Sequence, residues 1–186
     1  MLQCMNQLRP ARPEDITALS ALIRRSGLGL SVPFYSAEQA AAMTEYVFGV
    51  DSQLVEDQTY FVIECAGLAR ACGGWSRRRT LFGGDQTKSG PDPWLVPGEE
   101  PARIRAFFVE PGHARQGLGR QLMAASLHAA RAAGFTAMEL AATLPGVPLY
   151  KAGGFQAVEH FAITLPAPAP HTGTLSVPLV RMHRHL

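Results

Sequence analysis

The segment that most restricts how this chain can fold runs from residue 102 to residue 142, where a strand, a glycine-bearing turn, a long amphipathic helix and a second strand follow one another. Residues 102–109 alternate Ile104, Ala106 and Phe108 against Arg103, Arg105 and Phe107, the period-two pattern of a strand. Residues 110–116 make a turn. From 117 to 133 the spacing predicts a helix with Leu118, Leu122, Ala125, Ala129 and Ala133 along one stripe and Gly134 as the left-handed residue past its end. Residues 136–142 read as a strand again. A helix linking two strands of one sheet brings the chain back in the same direction, so these two strands are a parallel pair.

The flanking segments build the rest of that sheet. Residues 7–12 read as a strand, followed by a helix opened by Pro13, Glu14 and Asp15, with Ile16, Leu19, Leu22 and Ile23 on one face and Gly27 as its end. Ser36 and Gln39 form a capping-box pattern ahead of a second helix carrying Ala40, Met43 and Val47. Residues 59–65 and 68–75 are strands joined by Ala66 and Gly67 in a two-residue hairpin. A short helix over 145–152 and a closing antiparallel pair, 155–165 with 174–182, complete the reading. The predicted fold is α/β: a mixed central sheet with a parallel pair around a crossover helix and helices on both faces. Its 186 residues suit one domain, 1–186. Residues 77–101, rich in Gly, Pro and Asp and anchored by Trp94 and Leu95, are a long loop between strands, equally a substrate-covering flap or a plain excursion.

Charge narrows the partners. A net charge of +2 with scattered basic residues argues against nucleic acid and against an anionic membrane surface. No apolar run approaches the roughly 20 residues needed to span a bilayer. Cys4, Cys65 and Cys72 share no metal-ligand spacing, and no charged-then-apolar leader opens the chain, so the reading is a cytoplasmic protein with reduced thiols and no metal. His183 and His185 lack further ligands and read as part of a solvated strand, and the Arg77–Arg79 run reads as exposed.

A small ligand is the remaining target, and the Gly-x-Gly of ARQGLG indicates where it binds. Gly117 and Gly119 stand at the first turn of a helix that directly follows a strand, where unpaired N–H groups and the positive end of the helix dipole attract phosphate. Arg115 and Arg120 can add charge at the rim. A Walker loop is excluded because Arg120 and Gln121 follow the glycines, and a dinucleotide fingerprint because Leu122 replaces its third glycine.

With these residues in view, the sequence resembles the GNAT superfamily of acetyl-CoA-dependent N-acetyltransferases, whose cofactor loop reads Gln/Arg-x-x-Gly-x-Gly/Ala. Ala114 departs from the first position; the glycines match. The resemblance extends to PLYKAGGF, residues 148–155, and more loosely to both ends of the chain. It implies acetyl-CoA as co-substrate in a V-shaped opening between the strand ending at Val109 and the strand at 136–142. Phe107, Phe108 and Val109 would pair with the pantetheine through their backbone, and Arg115, Gln116, Gly117, Leu118, Gly119 and Arg120 would hold the phosphates. Tyr150 would protonate the departing thiolate, and an N–H near Val109 would face the oxyanion. The implied reaction is direct transfer of acetyl to a primary amine, on a small molecule or a peptide, in a ternary complex; a homodimer is common in the family. The glutamate base of the histone-modifying branch is replaced by Arg103, leaving Glu110, His113, Glu159 and His160 as nearby candidates. A non-catalytic acyl-CoA sensor of the same fold is the alternative that the missing base keeps open. Cys72, in mid-strand, reads as buried and inert, against a covalent route.

Overall fold

The computed structural model describes residues 5–32, 34–90 and 92–186, so Cys4 lies outside the described residues. In chain order the elements are β1 (Gln7–Pro10), α1 (Ile16–Ser31), α2 (Ala37–Tyr46), α3 (Ser52–Glu56), β2 (Tyr60–Cys65), β3 (Leu68–Ser76), β4 (Ala102–Val109), α4 (Leu118–Ala132), β5 (Ala137–Thr143), α5 (Val147–Ala152), β6 (Gln156–Pro166) and β7 (Thr174–His185). The strands form one sheet in the order β1-β2-β3-β4-β5-β7-β6. Every neighbouring pair is antiparallel except β4 and β5, which are parallel as the crossover argument requires.

Three apolar clusters hold helices to the two faces of this sheet. Leu118, Leu122, Met123, Leu127 and Ala130 of α4 pack on Ile63, Ile104, Met138 and Met182. On the opposite face, Leu19, Leu22 and Ile23 of α1 meet Tyr60, Val62 and Cys72, while Met43 and Ala42 of α2 meet Val177 and Leu179 of β7. β2 therefore alternates sides, Phe61 and Ile63 toward α4 and Tyr60 and Val62 toward α1, and both sets are buried. The predicted caps are present: Ser36 Oγ accepts from Gln39 N at 3.1 Å, Gln39 Oε1 accepts from Ser36 N at 2.9 Å, and Gly134 takes φ +87°.

Several expectations are corrected. α1 does not stop at Gly27 but continues to Ser31. Gly27 is a packing residue: a Cβ there would lie 2.7 Å from Phe48 Cδ2 and 2.8 Å from Thr44 Oγ1. A short helix, α3, was not anticipated. Cys65 is disulfide-bonded, against the expectation of three reduced thiols, while Cys72 is a buried free thiol. Most consequential is β4, whose expected strict alternation is broken. Its register against β3 slips between Cys72, opposite Phe108, and Gly74, opposite Arg105, and Ala106 adopts φ +53°. This β-bulge puts Ile104 and Phe107, three apart, on the α4 face, and turns Ala106 and Phe108 toward α1. Opposite the bulge, a Cβ on Gly73 would come within 2.9 Å of Phe107 Cα.

Candidate active site

Beyond the bulge, β4 and β5 part company. Their parallel pairing covers only Ala102 with Met138 and Arg103 with Glu139, although both strands continue. The gap opens into a cavity of about 540 Å³. Its walls include Ser26, Ser31, Met43 and Val47 from the α1–α2 face and Leu118, Gly119, Arg120 and Tyr150 from the α4–α5 face, so it passes through the sheet where the strands splay.

Eight of the nine residues expected at the cofactor line this cavity: Phe107, Phe108, Val109, Arg115, Gly117, Leu118, Gly119 and Arg120. Gln116 is not among its lining residues; its side-chain amide donates back to Gly112 O at 3.4 Å. Gly117 caps α4 at φ +85° and Arg115 takes φ +65°. A Cβ on Gly117 would meet nothing within 4 Å, whereas one on Gly119 would lie 2.9 Å from Leu149 Cδ2. The first glycine thus serves a left-handed turn, the second the close packing of α5 on α4. The helical ladder begins with Gln121 N–H donating to Gly117 O at 3.1 Å, which leaves the first-turn N–H groups of Leu118, Gly119 and Arg120 ahead of it, pointing along the dipole.

Tyr150 is 7% exposed, with its ring centroid 6.0 Å from those of both Phe107 and Phe155. Burial pushes its phenol well above the ordinary value, the reverse of the lowering that would ease proton donation. The buried Cys72 thiol is pushed up to about 12 by the same cause.

At the end of β4, Val109 N–H donates to Ser26 Oγ at 3.2 Å, and Ser26 is itself 4% exposed. Sequence reasoning passed over Ser26; a serine beside a packing glycine on the apolar side of α1 was the available signal. Of the four nearby base candidates, only His113 lines the cavity, with Nδ1 buried and without a hydrogen-bond partner. Glu110 is held below the usual carboxylate range by the Arg25 guanidinium, 2.8 Å away. Glu159 and His160 are exposed on β6. Arg103 forms an ion pair with Glu139, which also takes Arg181 at 2.8 Å.

Residues 77–101 are tied down at many points and contribute Leu81, Phe82 and Gly83 to the cavity wall. The anchor is a buried ionic cluster absent from the sequence reading. Arg105 donates to Asp51 Oδ2 at 3.0 Å and to the carbonyls of Thr80 and Gly83, and Lys88 pairs with the other oxygen of Asp51. Arg105 and Asp51 are at most 1% exposed. Burial lowers the guanidinium pKa from its ordinary value, an effect opposed by Asp51. Nor is the Arg77–Arg79 run simply exposed: Arg78 pairs with Asp57 at 2.7 Å, and the guanidinium carbons of Arg77 and Arg78 lie 4.5 and 4.1 Å from the Trp94 ring centroid. His183 and His185 contact each other, and among the described residues no group of three or more His, Cys, Asp or Glu is placed to hold a metal. No helix among them is long and apolar enough to cross a membrane.

A strand pair that splays beside a helix N-terminus, with α1 and α2 closing the far side, defines a known class of fold. Residues 33–155 match the Acetyltransferase (GNAT) family, and the chain belongs to that family. Among solved structures it is similar to a GCN5-related N-acetyltransferase from Rhodopseudomonas palustris, at 18% identity over 100% of this chain and 99% of that one, TM-score 0.69. It is also similar to the PaiA N-acetyltransferase from Thermoplasma acidophilum in complex with coenzyme A (10% identity, 98% and 99% covered, TM-score 0.63) and to an acetyltransferase from Salmonella typhimurium with its cofactor acetyl-CoA (16% identity, 97% and 94% covered, TM-score 0.63). At these identities the likeness is one of fold. No curated protein matches the sequence.

Proposed function

We propose that the chain transfers an acetyl group from acetyl-CoA to a primary amine by direct attack in a ternary complex. The observation that carries the reading is the splay itself: β4 beyond Arg103 does not pair with β5, so the β5-facing edge of Phe107 to Val109 is left for the amide links of a pantetheine arm, with Val109 N–H held meanwhile by Ser26 Oγ. The first-turn amides of α4, with Arg115 and Arg120, hold the phosphates. Tyr150 delivers a proton to the departing sulfur, and Val109 N–H, released from Ser26, faces the developing oxyanion. Direct transfer is favoured over a covalent route because the one described free thiol, Cys72, is fully buried, does not line the cavity and is held protonated.

The test is a thermal melt with acetyl-CoA, ATP or NAD in turn, followed by a thiol-release assay. A ligand at a hundred times its dissociation constant stabilises by about 2.7 kcal/mol, a shift of roughly 5–10 °C for a chain of this size. A shift with acetyl-CoA alone, and thiol released only when an amine is added, is the expected result. A shift without thiol release from any amine would make the chain an acyl-CoA sensor instead.

A further inference from the structure

The acceptor side of the cavity differs in kind from its cofactor side. Its walls are mostly apolar, with Leu30, Met43, Val47, Phe48, Leu81, Phe82 and Leu179, and Ser31 is a polar side chain among them. Aromatic rings frame it: Phe48 meets Phe108 edge-on at 5.1 Å, and Phe82 lies 6.4 Å from Phe161. Among the described residues no Asp, Glu or Lys lines any part of the cavity; its titratable and charged lining groups are His113, Arg115, Arg120 and Tyr150. Of the acidic side chains on the elements around it, Asp51 is engaged by Arg105 and Lys88, Glu139 by Arg103 and Arg181, and Glu110 by Arg25, while Glu38 and Glu45 of α2 are exposed and do not line the cavity.

Two consequences follow for the incoming amine. An ammonium ion would enter a largely apolar chamber with no lining carboxylate to receive it, at a large desolvation cost. It would also have to shed a proton first, and an amine with a lysine-like pKa near 10.4 is neutral in only about one part in 2,500 at pH 7. An amine that is already neutral avoids both costs. Resting on the acetyltransfer reading above, we infer that the acceptor is a weakly basic aromatic amine, uncharged near pH 7, whose ring occupies the space between Phe48 and Phe82. Its nitrogen lone pair attacks the thioester carbonyl, forming the C–N bond. Collapse breaks the C–S bond, sulfur takes a proton from Tyr150, and the surplus proton on nitrogen passes to solvent, which reprotonates the phenol. The products are an N-aryl acetamide and free thiol, and no carboxylate base is needed.

The experiment is thiol release by the full chain at saturating acetyl-CoA with aniline, 4-methylaniline, phenethylamine and spermidine, between pH 7.5 and 9.5. The aromatic amines should exceed spermidine in kcat/KM by about 100-fold. Their rates should be flat with pH, whereas phenethylamine, aromatic but strongly basic, should gain about tenfold per pH unit. Phe82→Glu, which adds a carboxylate to the wall, should narrow the preference over spermidine at least tenfold. Spermidine turned over as well as the anilines, or a phenethylamine rate flat with pH, would overturn the inference and leave acetyltransfer standing. Thiol released with other amines but with neither aniline would overturn this inference alone, whereas acetyl-CoA raising the melting temperature with no thiol released from any amine, peptide amines included, would bring down the transfer reading and this one with it.

Discussion

The buried cluster of Asp51, Arg105 and Lys88 ties residues 77–101 to the body, and its removal can be sized from the contacts. Asp51 is wholly buried, and its carboxylate receives Arg105, Lys88 and the N–H of Gln53. Asp51→Asn keeps the volume but deletes the one negative charge between two cations, leaving a buried guanidinium without its counter-ion. Breaking such a pair from one side costs about 3–5 kcal/mol, which for a chain of this length lowers Tm by roughly 6–20 °C. Arg105→Met removes the guanidinium together with its bonds to Thr80 O and Gly83 O at the cavity wall. The double variant no longer carries the uncompensated guanidinium, so its cost should fall short of the sum of the singles by about 1–3 kcal/mol. Urea unfolding of the four proteins measures the cycle, and amide exchange over residues 80–88 should quicken in each variant. Singles that add within about 0.5 kcal/mol would refute the argument that this pair acts as one clamp.

Four further changes test separate parts of the structure. Gly117→Ala meets no steric obstacle but must hold a Cβ at φ +85°, costing about 1–2 kcal/mol, and should weaken acetyl-CoA binding measured by calorimetry; equal affinity would detach that turn from the phosphates. Tyr150→Phe keeps the ring packing on Phe107 and Phe155 and should lower kcat on the order of 100-fold with an unchanged melting curve, whereas full turnover would remove the phenol from the chemistry. Gly27→Ala sets a helix-propensity gain of about 1 kcal/mol against overpacking on Phe48 and Thr44 of about 1–3 kcal/mol, so the urea midpoint should fall. On acidification, Asp15 and Glu110, both depressed by their arginines Arg9 and Arg25, contribute stability that is present above their ordinary values of 3.8 and 4.5 and is lost as pH falls through the lower folded values. Arg9→Met should flatten that decline between pH 5 and 3 in urea titrations.

What could be read from the sequence followed periodicity. The α4 stripe, the capping box at Ser36, the Ala66–Gly67 hairpin and the strand–helix–strand order were all legible because each is set by neighbours a few residues apart. Gly117 was legible for the same reason. Three features were not. The length of α1 was misjudged because Gly27 is fixed by Phe48 and Thr44, side chains that no local rule connects to it. The faces of β4 were misassigned because a bulge at an alanine carries no sequence mark, and the φ of +53° is sustained from outside the strand. Arg105 was read only as one position of the alternation, and its burial, as the largest fully buried side chain among the described residues, was not legible because its counter-ion is 54 positions away.

These misses share an origin, and it lies in how the cleft is held open. A regular β4 would continue to pair with β5 and fill the gap; the bulge at Ala106 turns it aside after Arg103. A non-glycine residue in the left-handed region costs about 1–2 kcal/mol and persists only when its surroundings enforce it. Three contacts do so here. Tyr60, fully buried, donates its phenolic proton to Ala106 O at 3.0 Å; Gly73 leaves room for Phe107 to lie across β3; and Arg105, one residue before the bulge, is locked to Asp51 and the 77–101 loop. On the cavity side of the same kink stand Phe107, against Tyr150, and Val109, on Ser26. The ionic cluster and the cleft are therefore two faces of one distortion. This explains how a buried carboxylate and guanidinium and a half-buried ammonium come to stand beside a largely apolar cavity: they sit behind its wall, fixing its shape, and leave no carboxylate among its described lining residues.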